Sequence, residues 1–361
     1  MKKNSNLFNR REMLKHTAAA GLFALDEGAN AMCYGFYEES RNGHRIIGHA
    51  GDTLYFHSDL HLVLDAGVGF FVSYNSAGRG EGSPRTPLWE AFLDRYFPYT
   101  PTSSSPLSTA KEDARKVSGT YMLSRRSDSS FLKTASLISE FTVSPVEDGM
   151  IETNELTAIN GKPKRWEEVA PMRFRERSGQ DQLVFKPDQS GRMQMVLPFP
   201  FFTGQRVGGF ENKRVLLPVL GFSILIMVLT LLIWPVAWLV RRHYQYKLEL
   251  TATERVLRFA VRIVFVLNLI FIVSLVSLVF YGLTHLEVFS DRGNTWFHLI
   301  QTIGMIGAVG TVVVLVNAIH AWTSKRRRIW GKLQATIMLL ACLGFLWFAF
   351  AGNLLHFSSN Y

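Results

Sequence analysis

The sequence predicts an α+β architecture in three parts: an antiparallel sheet element near the amino terminus, a small all-β domain, and a carboxy-terminal region of four transmembrane helices. Three observations predict it. Hydropathy divides the 361 residues sharply near Lys213, with Ser, Gly, Pro and scattered charges before it and long apolar runs after it. His44 to Ser76 alternates with the two-residue period of a meander, and Val117 to Val207 reads as short strands between turn residues. The parts are bounded as 1–31, an export signal or a remnant helix; 32–97, the sheet element; 98–116, a linker; 117–213, the β-rich domain; and 214–361, the membrane region.

At the amino terminus, Asn9-Arg10-Arg11-Glu12-Met13-Leu14-Lys15 has the form of a twin-arginine export motif. A short apolar stretch, Thr17 to Leu25, follows it, and Ala29-Asn30-Ala31 has the small-residue form of a cleavage site. Phe8 to Leu25 reads equally well as an ordinary amphipathic helix, because Asp26 and Glu27 close a brief apolar core.

The meander is expected over His44 to His49, Leu54 to Leu64 and Val68 to Tyr74, with turns at Gly51-Asp52 and Asp65-Ala66-Gly67. In the middle strand Phe56, Ser58, Leu60, Leu62 and Leu64 share one face, and Tyr55, His57, Asp59, His61 and Val63 the other. The last strand is apolar enough to be buried. His57, Asp59 and His61 have a spacing that a metal site can use, but the same pattern describes a polar sheet face beneath a helix, and no further ligand cluster lies near. No metal and no cofactor is expected. A helix over Pro87 to Tyr96 precedes the Pro/Ser/Thr-rich stretch Pro98 to Pro106.

In the β-rich domain, turn signals stand at Gly119-Thr120-Tyr121, Glu147-Asp148-Gly149, Asn160-Gly161, Ser178-Gly179 and Pro187 to Gly191. A barrel or sandwich follows, with Phe141, Trp166, Phe174 and Phe185 as its core.

Four runs reach the roughly 20 apolar residues that a spanning helix needs: Leu216 to Val240, Val256 to Leu283, Phe297 to Trp322 and Leu333 to Leu355. Arg241, Arg242, Lys247 and Arg255 follow the first run, and Lys325 to Arg328 with Lys332 follow the third. The positive-inside rule makes both loops cytoplasmic and places the soluble part and Tyr361 outside. The net charge of +10 is therefore a signature of topology with membrane lipids as partners, not of nucleic-acid binding. Gly304, Gly307 and Gly310 form a small-residue face suited to close helix packing. Cys33 and Cys342 lie in different settings and form neither a disulfide framework nor a zinc motif.

Tyr34-Gly35-Phe36-Tyr37, Gly48-His49-Ala50-Gly51-Asp52-Thr53, Phe56-His57-Ser58 and the strand ending in Asn75-Ser76 together resemble the last motif region of the serine beta-lactamase and penicillin-binding-protein-like family. His49-Ala50-Gly51 matches the His-x-Gly form of the triplet on the strand that edges the active site in that family. The resemblance implies a truncated beta-lactamase-like sheet, with His49 as the polar contributor, Gly51 letting substrate lie close, and the Asp52 N–H as an oxyanion donor. It also implies a lipocalin-like form for the β-rich domain and peptidoglycan or a peptide-like substrate as partner. Enzymes of this kind need Ser-x-x-Lys and Tyr-x-Asn or Ser-x-Asn upstream of the triplet, and the 48 residues before His49 contain no Ser-x-x-Lys. Ser108 to Lys111, Ser130 to Lys133 and Ser73-Tyr74-Asn75 fit those patterns in the wrong chain order, the second of them in an expected strand. The expected function is a membrane-anchored fragment of such a hydrolase, inactive alone, with a non-catalytic binding or scaffolding module as the alternative.

Overall fold

The structure is a computed structural model that describes residues 29–53, 55–76, 84–100, 107–158 and 161–357. The Phe8 to Leu25 segment, most of the Pro/Ser/Thr-rich stretch, Asn160 and Tyr361 lie outside the described residues. These residues fall into two compact units, one drawn from Met1–Arg125 and Phe141–Val207, the other from Arg126–Glu140 and Gly208–Tyr361. The fold is a mixed α+β one, with a closed antiparallel barrel of eight strands and four long apolar helices.

The first unit begins with a five-stranded antiparallel sheet in sequential order: β1 (Met32–Cys33), β2 (Phe36–Glu38), β3 (Ile46–Asp52), β4 (His57–Val63) and β5 (Val68–Tyr74). The turn expected at Gly51-Asp52 lies later. Both residues belong to β3, opposite Ser58 and His57, and the reversal is closed by the Thr53 N–H bonding to the Phe56 carbonyl. Helix α1 (Arg85–Tyr96) covers one face, where Trp89 and Leu93 pack on Ile46 and Val63. That face carries Asp59 and His61, so the polar side of β4 is the buried one. The opposite face bears Leu60, Leu62 and Phe71, and Phe71 is 66% exposed. The last strand is thus not buried as expected: β5 is an edge strand, and α1 covers only one side of it.

The barrel runs β6 (Gly119–Leu123), β7 (Glu140–Pro145), β8 (Ile151–Thr157), β9 (Pro163–Ala170), β10 (Arg173–Glu176), β11 (Gln182–Pro187), β12 (Met193–Val196) and β13 (Thr203–Arg206), and closes where β13 pairs with β6. Gly119-Thr120-Tyr121 is strand rather than turn, because Tyr121 points into the core and its hydroxyl donates to the Val117 carbonyl at 2.6 Å. Trp166, Phe174 and Phe185 fill the interior as expected, and Phe141 packs at its margin. Within the stretch read as a linker, Ala110–Val117 forms helix α2. Its Ala114 and Val117 join the barrel core, so tertiary burial makes a helix where composition suggested a spacer.

In the second unit, Lys133–Ile138 is a short helix α3, and Ser130 precedes it in a turn whose carbonyl accepts the Lys133 N–H at 3.1 Å. This segment is helical rather than the expected strand. The four apolar runs become α4 (Lys213–His243), α5 (Ala252–Gly282), α6 (Asp291–Thr323) and α7 (Ile329–Ala351), each long and apolar enough to cross a membrane. The Glu140 carboxylate accepts the Lys213 N–H at 3.0 Å and satisfies one orphan donor of α4. A capping box joins Thr251 and Glu254 at the start of α5. The small-residue face of α6 packs against α5: a Cβ on Gly304 would lie 2.6 Å from the Phe271 ring, and one on Gly310 2.5 Å from Val264. Backbones approach that closely only where side chains are absent.

Candidate functional site

Two places in the first unit concentrate chemistry: the bare face of the sheet and the cleft on its covered side. On the bare face, antiparallel register sets His49 opposite Leu60, and Leu60 opposite Phe71. The two-residue period carries Gly51 to the same side as His49, and both are exposed. Phe36 meets the His49 ring edge-on at 6.3 Å between centroids. The intervening Ala50 points the other way, and its N–H donates to the Tyr37 hydroxyl at 2.6 Å. Burial pushes that hydroxyl up to about 12, so it stays protonated at neutral pH. The Asp52 carboxylate is engaged by His57 Nδ1 at 2.7 Å and by Arg85 Nη2 at 3.0 Å. The His57 hydrogen bond, with the Arg85 contact beside it, holds that carboxyl below its usual range.

On the covered side, His61 is 3% exposed and lies between two carboxylates. Its Nδ1 pairs with Glu39, and its Nε2 sits 3.3 Å from Asp59 Oδ2, at ion-pair distance but outside hydrogen-bond geometry. Trp89 stacks on the imidazole at 4.1 Å, nearly parallel. Glu39 reaches His61 by crossing β3 at Gly48, where any Cβ would collide with the Glu39 carboxylate and lie 2.7 Å from the Leu60 carbonyl. Glycine there is a condition of the pair. Burial opposes charge on the ring, but Asp59 and Glu39 outweigh it and raise His61 to about 9, so the imidazolium is the resting form at neutral pH. Desolvation raises Glu39 in turn.

His61 and Asp59 line a cleft of about 1870 Å³ between the sheet, α1 and the barrel loops. Its walls include Arg41, which pairs with Glu90 at 3.0 Å and Asp181 at 3.6 Å, and Lys164, which pairs with Glu176 at 2.9 Å and Asp181 at 2.7 Å. Among the described residues, five buried atoms on these walls, Arg41 Nε, Asp59 Oδ1, His61 Nε2, Tyr74 Oη and Gln182 Oε1, have no protein hydrogen-bond partner. The volume exceeds the roughly 300–1,000 Å³ of a compact small-molecule site.

The sequence points to His49, Gly51 and Asp52, and the fold sets the first two together on the bare face while Asp52 turns its carboxylate toward His57 and Arg85. Ser108 and Lys111 are exposed at the start of α2, and Ser130 is fully buried with its hydroxyl on Ser127 at 2.8 Å. Among the described residues no side-chain hydrogen bond joins either serine to its lysine. Sequence reasoning missed Glu39, Trp89 and the ion pairs of Arg41. Arg85 and Trp89, four apart on one helix face, carried a signal in their spacing.

No protein-family model matches the chain, and no curated protein matches it. Among solved structures it is weakly similar to SurE, in crystal structures with D-Leu and without it. Both are 16% identical with a TM-score of 0.28, and the match covers 55% of this chain and 45% or 44% of the SurE chains. An octameric penicillin-binding protein homologue from Pyrococcus abyssi is 14% identical with a TM-score of 0.19, covering 51% of this chain and 39% of that one. The chain spans less than half the length of these structures.

Proposed function

We propose that this chain is the membrane-anchored carboxy-terminal part of a beta-lactamase or penicillin-binding-protein-like serine hydrolase, inactive alone, whose sheet supplies one wall of an active site. The observation that carries this reading is the position of His49 and Gly51 on the face of the sheet that no described element covers, among Phe36, Leu60 and Phe71. A sheet face of that composition is stable when something packs on it. The strand triplet would then line the seam between the sheet and whatever covers it. A serine needs an adjacent base to become a nucleophile, and the described Ser-x-x-Lys pairs lack that contact. A fluorophosphonate or fluorescent penicillin should therefore leave the purified full chain unlabelled. Stoichiometric labelling abolished by Ser108→Ala or Ser130→Ala would overturn the reading.

A second reading, a non-catalytic binding module, is favoured by the unpartnered buried polar atoms of the cleft, since such groups are ordinarily satisfied by protein, water or ligand. A soluble peptidoglycan fragment separates the two. Under the hydrolase reading its titration into the full chain shifts the His49 imidazole resonances, and under the binding reading it shifts those of His61.

The basic loops support an external soluble part in either case. Reporter fusions at Tyr246 and Arg327 should be active on the cytoplasmic side and a fusion at Tyr361 on the other. An inward Tyr361 would sink this topology.

A further inference from the structure

The four-helix unit concentrates arginine at one end in a manner that the positive-inside rule does not require. Arg242, Arg255, Lys325, Arg326 and Arg328 are exposed there, as topology-setting residues ordinarily are. Four others turn inward. Arg241 of α4 and Arg258 and Arg262 of α5 are half-buried, and Arg327, from the loop between α6 and α7, has only 8% of its side chain exposed. Arg258 feels the charges of Arg327, Glu254 and Arg241, and Arg262 those of Arg258 and Arg241, so the four form one group. Among the described residues its one carboxylate partner is Glu254, which binds Arg327 Nε at 3.1 Å. Four cations against one anion leave a net charge of +3.

Two further observations point to a ligand. Among the described residues Arg327 Nη2 is buried with no partner, although guanidinium donors buried in protein are ordinarily satisfied. Glu254, Arg258 and Arg262 follow at intervals of four on one face of α5, and among the described residues neither Arg258 nor Arg262 has a carboxylate at ion-pair distance. Depth narrows the choice. The stretch from Ile263 to Gly282 has 20 residues, and at 1.5 Å each they cover about 30 Å, the hydrocarbon thickness of a bilayer. Arg262 therefore stands at the edge of the hydrocarbon, level with lipid phosphates. Its guanidinium lies over the Trp234 ring at 4.3 Å, as an interfacial aromatic would hold it.

We infer that Arg241, Arg258, Arg262 and Arg327 form a binding site for the phosphate headgroup of an anionic lipid, between α4, α5 and the loop joining α6 to α7. Guanidinium forks match phosphate oxygens two at a time, and the vacant donor of Arg327 supplies a direction that diffuse surface charge lacks. Glu254 orients Arg327 and moderates the repulsion among the cations.

The test uses the full chain in nanodiscs of phosphatidylcholine with phosphatidylglycerol, with retained lipid read by native mass spectrometry. Wild-type protein should keep phosphatidylglycerol in preference to phosphatidylcholine. Arg258→Gln with Arg262→Gln should weaken retention about thirtyfold, the effect of removing two near-surface arginines. Glu254→Gln, which preserves the capping box, should strengthen it. Arg255→Gln with Lys325→Gln, which removes as much charge from the exposed set, should leave it unchanged. Equal retention of both lipids, an equal loss in the Arg255 and Lys325 variant, or weakened retention in Glu254→Gln would overturn the site. Inorganic phosphate that binds the lipid-free protein in detergent and fully displaces phosphatidylglycerol would assign the pocket to a soluble ion and overturn the lipid.

Discussion

The His61 imidazole should titrate with a midpoint near 9 in the folded protein, and the stability of the sheet should fall as pH rises toward that value. The sign follows from linkage. A histidine raised from its ordinary 6.5 to about 9 binds its proton more tightly folded than unfolded. Its contribution is complete below about 6.5, declines above it and is lost as pH passes through about 9. At roughly 1.4 kcal/mol per unit, the window spans on the order of 3 kcal/mol. That is a large share of the 5–15 kcal/mol that holds a typical domain together. Glu39 acts in the same sense: desolvation raises it, so the folded form holds its proton more tightly and its contribution also falls as pH rises. Histidine-selective NMR of the full chain in micelles measures the midpoint directly. A value at or below 6.5 would mean that Asp59 and Glu39 do not hold the ring as charged. Glu39→Gln should lower the midpoint, because it removes the closer carboxylate and leaves Asp59 alone.

His61 also shows where the sequence was readable and where it was not. The alternation of β4 was legible, since period two needs only the order of residues. Which face is buried was not. Leu60 and Leu62 look like the core side, but the helix lies over Asp59 and His61, whose burial is compensated by ion pairing and by Trp89. Glu39 comes from the loop after β2 and Trp89 from α1, at separations that no local pattern records. Helix α2 was obscured for a related reason: Ala114 and Val117 are too few to announce a helix until the barrel end closes on them. The four membrane helices were legible because each carries its signal in one continuous run long enough to cross a bilayer. His49 and Gly51 were visible as a motif, but the open face on which they sit depends on pairing with β4 and β5 and on the side that α1 chooses.

Replacing Trp166 by alanine should unfold the barrel while leaving the four helices in the membrane. Trp166 is fully buried on β9, opposite Ile151, at the centre of the cluster formed with Tyr121, Phe174, Leu183 and Phe185. Removing a buried aromatic of this size costs about 3–5 kcal/mol in transfer and cavity energy. A second cost follows from the indole, whose Nε1 donates to Thr153 Oγ1 at 3.0 Å. Thr153 is fully buried, so alanine leaves its hydroxyl without that donor, at about 1–3 kcal/mol. The two together approach the total stability of an ordinary domain. Trp166→Phe separates them, since it keeps most of the ring volume and loses only the hydrogen bond, and it should cost less than half as much. Pulse proteolysis in urea on the full chain reads both variants, with cleavage expected between Thr153 and Arg206 and protection retained across α4 to α7. An alanine variant that unfolds within about 1 kcal/mol of the parent would show that the barrel collapses around the gap, and that its core is not packed as tightly as the burial of Trp166 requires.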